Sequence, residues 1–162
     1  MITSHAYSND FSKGKDAERR FATHLLDFTW ATTEQDIKEH WDIKGVLPIL
    51  GDTPFKFDVK ALKKINRFDS YSQDDSTWIE GTNVRGDKGW IKGDADYIVF
   101  ERHNGWLVID RELLYRWVVK KIKQNGVKEG KGLYEIYTRF GRQDKLTLIN
   151  FNDLDIEYIT IT

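Results

Sequence analysis

Apolar residues recur at three- and four-residue spacing from Ser12 to Phe28, so that Ala17, Phe21, Leu25 and Phe28 would line one side of an amphipathic helix capped at Ser12 or Asp16. Glu18 lies beside that stripe. The period then changes. Trp41 to Val46 and Phe55 to Ala61 alternate apolar and polar residues, and Pro48 to Pro54 reads as a turn, which predicts a strand hairpin. Phe68 to Ser76 is polar and loop-like, Trp78 to Val84 predicts a further strand, and Gly86, Gly89 and Gly93 punctuate a turn region. Tyr97 to Arg102 and Trp106 to Ile109 flank His103-Asn104-Gly105 as a second hairpin. A helix follows Asp110 and stops at Gly126, carrying Leu113, Leu114, Trp117, Val118 and Ile122 inward. Strands near Tyr134 to Arg139 and Lys145 to Asn150 complete the order. Helix, strands, helix, strands predicts an α/β protein of the α+β kind, with a mixed central β-sheet flanked by helices rather than a doubly wound parallel sheet.

Composition narrows the picture. A chain of 162 residues is near the commonest domain size, so one domain over 1–162 is expected, and no repeat or linker divides it. A hydrophobic fraction of 40%, with six Trp, seven Tyr and nine Phe, supplies a sizeable core despite 31% charged residues. No apolar run approaches the roughly 18 residues that span a bilayer, and Met1 to Asp10 lacks the basic and apolar regions of a signal peptide. A protein of the cytoplasm, with no membrane partner, is the expectation. Without Cys, and with four scattered His, any metal must be held mainly by oxygen. The formal charge of -1 opposes a nucleic-acid partner, since phosphate binding favours a basic surface. Local clusters answer the objection: Lys60, Lys63, Lys64 and Arg67 form one basic run, and Arg111 to Lys131 holds another.

The chemistry concentrates in Phe55-Lys56-Phe57-Asp58-Val59-Lys60-Ala61. Alternation points Phe55, Phe57, Val59 and Ala61 at the core and places Asp58 and Lys60 together on the other face. Asp42, in the neighbouring strand, would come beside Asp58 across the turn. Two close carboxylates repel unless a proton or cation intervenes, which suits Mg²⁺ or Mn²⁺. Taken singly, each of these residues is an ordinary strand charge.

Their order and setting add to the pattern: a helix bearing Glu18, then Trp41-Asp42-Ile43, then Phe57-Asp58-Val59-Lys60. This resembles the PD-(D/E)xK nuclease superfamily. The likeness extends through Trp78-Ile79-Glu80, Gly89-Trp90 and Ala95-Asp96-Tyr97-Ile98-Val99-Phe100-Glu101 to small phage-type members, in which case the compartment is the host cytoplasm. Trp41 stands where the motif has Pro, and Asp58 where Glu is commoner. The resemblance implies a restriction-endonuclease-like core and phosphodiester hydrolysis, most readily of DNA. Asp42 and Asp58 would be metal ligands, Lys60 would orient or activate the attacking water, and Glu18 would be an auxiliary acid. A Holliday-junction resolvase and a homing or restriction-type endonuclease would share this core, and symmetric cleavage of two strands would favour a homodimer. A noncatalytic nucleic-acid- or protein-binding module on the same fold is the alternative of a different class.

Other residues stay open between two readings. Arg116, Lys120 and Lys123 share one helix face that either contacts phosphates or is simply solvated. Tyr137, Arg139, Arg142 and Lys145 combine aromatic and cationic groups as a nucleic-acid surface does, and equally as an edge strand does. Glu80 and His40 are possible auxiliary residues of the site, or ordinary surface groups. Trp78, Trp90 and Trp106 read as core or loop anchors. Gly86, Gly89 and Gly93 lack the following G-K-[ST] and helix of a phosphate-binding loop.

Overall fold

The computed structural model describes the backbone of residues 4–162 and the side chains from Ser12 onward, so the reading of Met1 to Asp10 lies outside the described side chains. The elements are α1 (Ser4–Ala22), β1 (Leu26–Trp30), α2 (Thr33–Glu39), β2 (Ile43–Val46), β3 (Pro54–Lys60), β4 (Ser76–Thr82) and β5 (Tyr97–Arg102). They continue with β6 (Gly105–Asp110), α3 (Arg111–Gln124), β7 (Lys145–Asn150) and β8 (Ile159–Ile161). Six strands form one sheet in the order β1-β2-β3-β5-β6-β8, while β4 and β7 form a separate two-stranded sheet. Only β3 and β5 run parallel in the larger sheet; its other neighbours are antiparallel, so the sheet is mixed as expected.

The larger sheet is buried on both faces. Towards α1, Ala17, Phe21 and Leu25 pack on Ile43, Phe57, Val59, Val99 and Val108. Towards α3 and the small sheet, Ile98, Phe100, Leu107 and Ile109 meet Leu114, Trp117, Val118, Ile79 and Ile149. The register pairs Asp58 with Ile98 and Lys60 with Phe100. Asp58 and Lys60 thus share the face opposite Phe57 and Val59, but that face is a second packed interior and not open surface.

Several expectations change. The first helix stops at Ala22, where Thr23, His24 and Leu25 close a turn through their backbone N–H groups, and Leu26 to Trp30 is an edge strand. Phe28 therefore sits on a strand, 41% exposed, and its helical spacing from Leu25 was coincidence. A helix at Thr33–Glu39 escaped the pattern because it is two turns long; its mark is local, a capping box in which Thr32 and Gln35 satisfy each other's backbone N–H groups. Leu113 faces outward at 39% exposure, since Leu114, Trp117 and Val118 already fill the inward face of α3. Tyr134 to Arg139 is not a strand. Positive φ angles at Val127, Gly130 and Tyr134 bend the approach to it, leaving only isolated bridges such as Tyr137 to Leu146. The predicted strand from Trp78 ends at Thr82, short of Val84, and β8 was not foreseen. Among the described residues no helix is long and apolar enough to cross a membrane.

Candidate active site

The hairpin of β2 and β3 aligns Ile43 with Phe57, where the regular register ends, and Asp42 N–H donates to the Phe57 carbonyl at 2.9 Å. The Asp42 and Asp58 carboxyl groups are thereby brought within hydrogen-bonding contact of each other. Asp42 Oδ2 accepts a hydrogen bond from Val59 N at 2.7 Å, which fixes the carboxylate against β3. Asp58 Oδ1 accepts from Lys60 Nζ at 2.8 Å, the expected i,i+2 contact along one strand face. The hydrogen-bonding contacts of the Asp58 carboxyl are Lys60 and the Asp42 carboxyl, yet Asp58 Oδ2 is buried with no conventional donor. Lys60 Nζ also lies 4.5 Å from the centre of the Trp90 ring, a cation–π contact that holds the ammonium in place.

α1 contributes Glu18, one position beyond the buried Ala17 and itself only 7% exposed. It pairs with Lys15 at 3.1 Å. Asp36, brought in by α2, borders the same space. These side chains line a cavity of about 540 Å³ whose walls also include Glu80, Trp90, Lys63, Lys64 and Arg139. Glu18, Asp36 and Asp42 border a second hollow of about 260 Å³ towards Trp30, so the acidic centre is reached from two sides.

Burying these charges together has a clear electrostatic result. Burial, and then the nearby Asp42, push the Glu18 carboxyl up to about 7. Burial, and then Asp58, push Asp42 up to about 8. Asp58 is raised as well, chiefly by burial, against the pull of Lys60. For Lys60, burial works against the charged form, but Asp58 and Asp42 outweigh it and the pKa lies above its ordinary value. Lys60 is accordingly an ammonium at neutral pH, a source of positive charge and not a base.

The remaining sequence candidates divide. Glu80 lines the cavity, its pKa raised by burial, and the close approach of Gly89 to its backbone fixes its strand: a Cβ on Gly89 would stand 2.2 Å from the Glu80 carbonyl oxygen. His40 also borders the cavity, but it caps α2 in the left-handed region at φ 57° and its Nε2–H donates to the Lys88 carbonyl at 3.0 Å. Arg139 reaches the cavity; Arg116, Lys120, Lys123 and Arg142 are exposed and do not line it. In the second basic run, Arg111 is used structurally, donating to the Ala95 and Ile91 carbonyls. Sequence reasoning missed Asp36 and the role of Trp90. The capping box at Thr32 would have flagged the helix that carries Asp36, whereas nothing local to Trp90 announces a contact with Lys60.

Among the described residues no group of three or more His, Asp or Glu is arranged to hold a metal ion. The donor set nevertheless fits a hard divalent cation of the magnesium type, which takes one or two carboxylates and fills its other positions with water and substrate phosphate. Asp42 and Asp58 would be the two carboxylates, and the unpartnered Asp58 Oδ2 is an oxygen free to ligate a cation. Comparison with models of protein families, with curated proteins and with solved structures finds no match to this chain.

Proposed function

We propose that this chain is a divalent-cation-dependent nuclease that hydrolyses phosphodiester bonds, in DNA, on a restriction-endonuclease-like core of the PD-(D/E)xK type. The observation that carries the reading is the buried neighbouring carboxyls of Asp42 and Asp58, with Lys60 paired to Asp58 on the same strand, at the foot of an open cavity. Lys60 supplies one positive charge to two buried neighbouring carboxyls, so one of them is left to a proton or to a divalent cation, and a cation bound there would displace the proton. Asp42 and Asp58 would hold Mg²⁺ or Mn²⁺. When bound, the ion supplies positive charge to the phosphorus oxygens and makes water a stronger acid at neutral pH.

The chain's own groups supply the rest. Lys60, fixed by Asp58 and Trp90, presents an ammonium where negative charge grows on the phosphate in the transition state. Glu18, with a pKa near neutrality, is suited to accept a proton from water at the cavity mouth. Glu80, on the opposite wall, limits which phosphates can approach by repelling those that lie too close to it.

The test is cleavage of single-stranded, duplex and branched DNA by highly purified protein with Mg²⁺ or Mn²⁺. Strand scission that disappears with a chelator is the expected result; no scission on any of the three substrates removes the nuclease reading. A separate expectation locates the contact. Binding to DNA should weaken steeply with salt in spite of the near-neutral total charge, because clustered cations displace counterions. Reversing Lys63 and Lys64, which line the cavity, should reduce affinity by about tenfold and flatten the salt dependence by about two counterions. Reversing Lys120 and Lys123 on α3, away from the cavity, should change little, and the opposite ranking would move the interface to α3.

A further inference from the structure

The walls of the cavity are unequal in charge. The larger sheet and its flanks bring Lys15, Lys60, Lys63 and Lys64, whereas the side built from β4, β7 and the loop before β7 brings a single cation among the described residues, Arg139. That arginine is held in an unusual way. Tyr137 and Leu146 exchange both backbone hydrogen bonds at 2.8 Å and close a loop between them, with a turn from Arg142 N–H to the Arg139 carbonyl and Gly141 at φ 73°. Across this loop Arg139 Nε donates to Asp144 Oδ2 at 2.5 Å. Asp144 is wholly buried, while the Arg139 side chain is 39% exposed.

Stability does not account for the pair. Full desolvation of a carboxylate is barely offset by one partner that remains half in water, and Asp144 Oδ1 is buried with no donor among the described residues. What the pair does achieve is placement. With Nε engaged, the guanidinium plane is fixed, and its two terminal nitrogens make no other hydrogen bond or ion pair among the described residues. Those nitrogens form the parallel fork that matches two oxygens of one phosphate. The positive charge also reaches the site, since Arg139 acts on the Glu80 carboxyl, which in turn feels Lys60.

We propose that Arg139, positioned by the buried Asp144, is a phosphate clamp: its two terminal nitrogens grip a backbone phosphate of the nucleic acid lying in the cavity that holds Asp42, Asp58 and Lys60. The proposal rests on the nuclease reading for the identity of the ligand. Arg139 binds, and Asp144 is a positioning residue that acts through it.

The experiment measures binding of a fluorescently labelled oligothymidylate by anisotropy, without divalent cation, over a range of salt. Removing Arg139 alone would leave Asp144 buried and unpaired, so the neutral pair R139Q/D144N, which keeps a hydrogen bond and loses both charges, guards the fold; melting curves check it. The pair should bind about tenfold more weakly, with a salt slope shallower by about one. R139K keeps the charge and loses the fork, so it should lose affinity by a similar factor with the slope unchanged. D144N alone should weaken binding less, and adding it to R139K should cost nothing further, because both disturb one contact. A merely structural Asp144 would lower the melting temperature and leave affinity and slope where they were. Wild-type affinity in folded R139K or in the neutral pair overturns the clamp, as does failure of the wild-type protein to bind at all. Binding that follows these expectations without any cleavage in Mg²⁺ or Mn²⁺ sinks the nuclease reading and leaves the clamp standing.

Discussion

Asp58→Asn is expected to abolish cation-dependent phosphodiester cleavage and, in the same molecule, to raise the melting temperature of the cation-free protein. Asn keeps the size of the side chain and can still accept from Lys60, so the packing of β3 against Ile98 is undisturbed. It removes the negative charge beside the Asp42 carboxyl and replaces the unpartnered Asp58 Oδ2 by an amide nitrogen that can donate to that carboxyl. Satisfying that position and relieving the repulsion should gain about 1 kcal/mol, or about 2–4 °C for a chain of this size. Lys60→Ala should behave in the opposite way. It strips the counter-charge from Asp58 and Asp42, leaves a buried acceptor unpaired, and should cost about 1–3 kcal/mol. Both variants should lose activity, Lys60→Ala by about 100- to 1000-fold because a preorganised positive charge is gone. Calorimetric titration with Mn²⁺ separates them: binding should weaken by more than about 100-fold in Asp58→Asn, where a ligand is lost, and hardly at all in Lys60→Ala. Full cleavage by both folded variants would defeat the assignment of this site. A fall in melting temperature for Asp58→Asn would instead show that the facing carboxylates are not a strained pair.

That opposition between stability and activity was half visible in the sequence. The strand alternation around Asp58 and Lys60 is a local property, so it survives folding unchanged and delivers both side chains to one face. The partnership with Asp42 follows from the β2–β3 hairpin, which the Pro48 to Pro54 turn constrains, although the regular register ends at Ile43 and Phe57. What could not be read was depth. Alternation marks Phe57 and Val59 as inward but says nothing of a second layer, and it is β4 and β7, remote in the chain, that close over the other face, where burial raises the Asp58 and Glu80 carboxyls. Trp90 and Asp144 belong to the same class. Trp90 meets Lys60 only through tertiary packing, and Asp144 meets Arg139 across an irregular loop whose closure by Tyr137 and Leu146 has no periodic signature, whereas Asp36 was hidden only because α2 is too short to display a helical period.

The second large effect concerns pH. The unfolded chain releases the Asp42 and Glu18 protons near their ordinary values of 3.8 and 4.5, whereas the fold retains them to about 8 and about 7. Between about pH 4 and pH 8 the native state therefore holds more protons than the unfolded one. With that sign, stability falls as pH rises, by up to about 1.4 kcal/mol per pH unit for each such proton, and it levels off once both states are ionised. Denaturant titrations of cation-free protein at pH 5, 6, 7 and 8 should show this decline superposed on the contribution of the other groups. Asp42→Asn should flatten it, and the difference between the two proteins isolates the effect from the rest of the chain. The same protons stand in the way of a cation, so Mn²⁺ affinity should climb through pH 6 to 8 and plateau above it. Calorimetry in two buffers of different ionisation enthalpy should register proton release on binding at pH 7, with less released from Asp42→Asn. Stability that rises from pH 5 to 8 by the same amount in both proteins, or Mn²⁺ binding with no released proton, would mean that Glu18 and Asp42 are already ionised in the fold and that the buried acidic centre is not the cation's place.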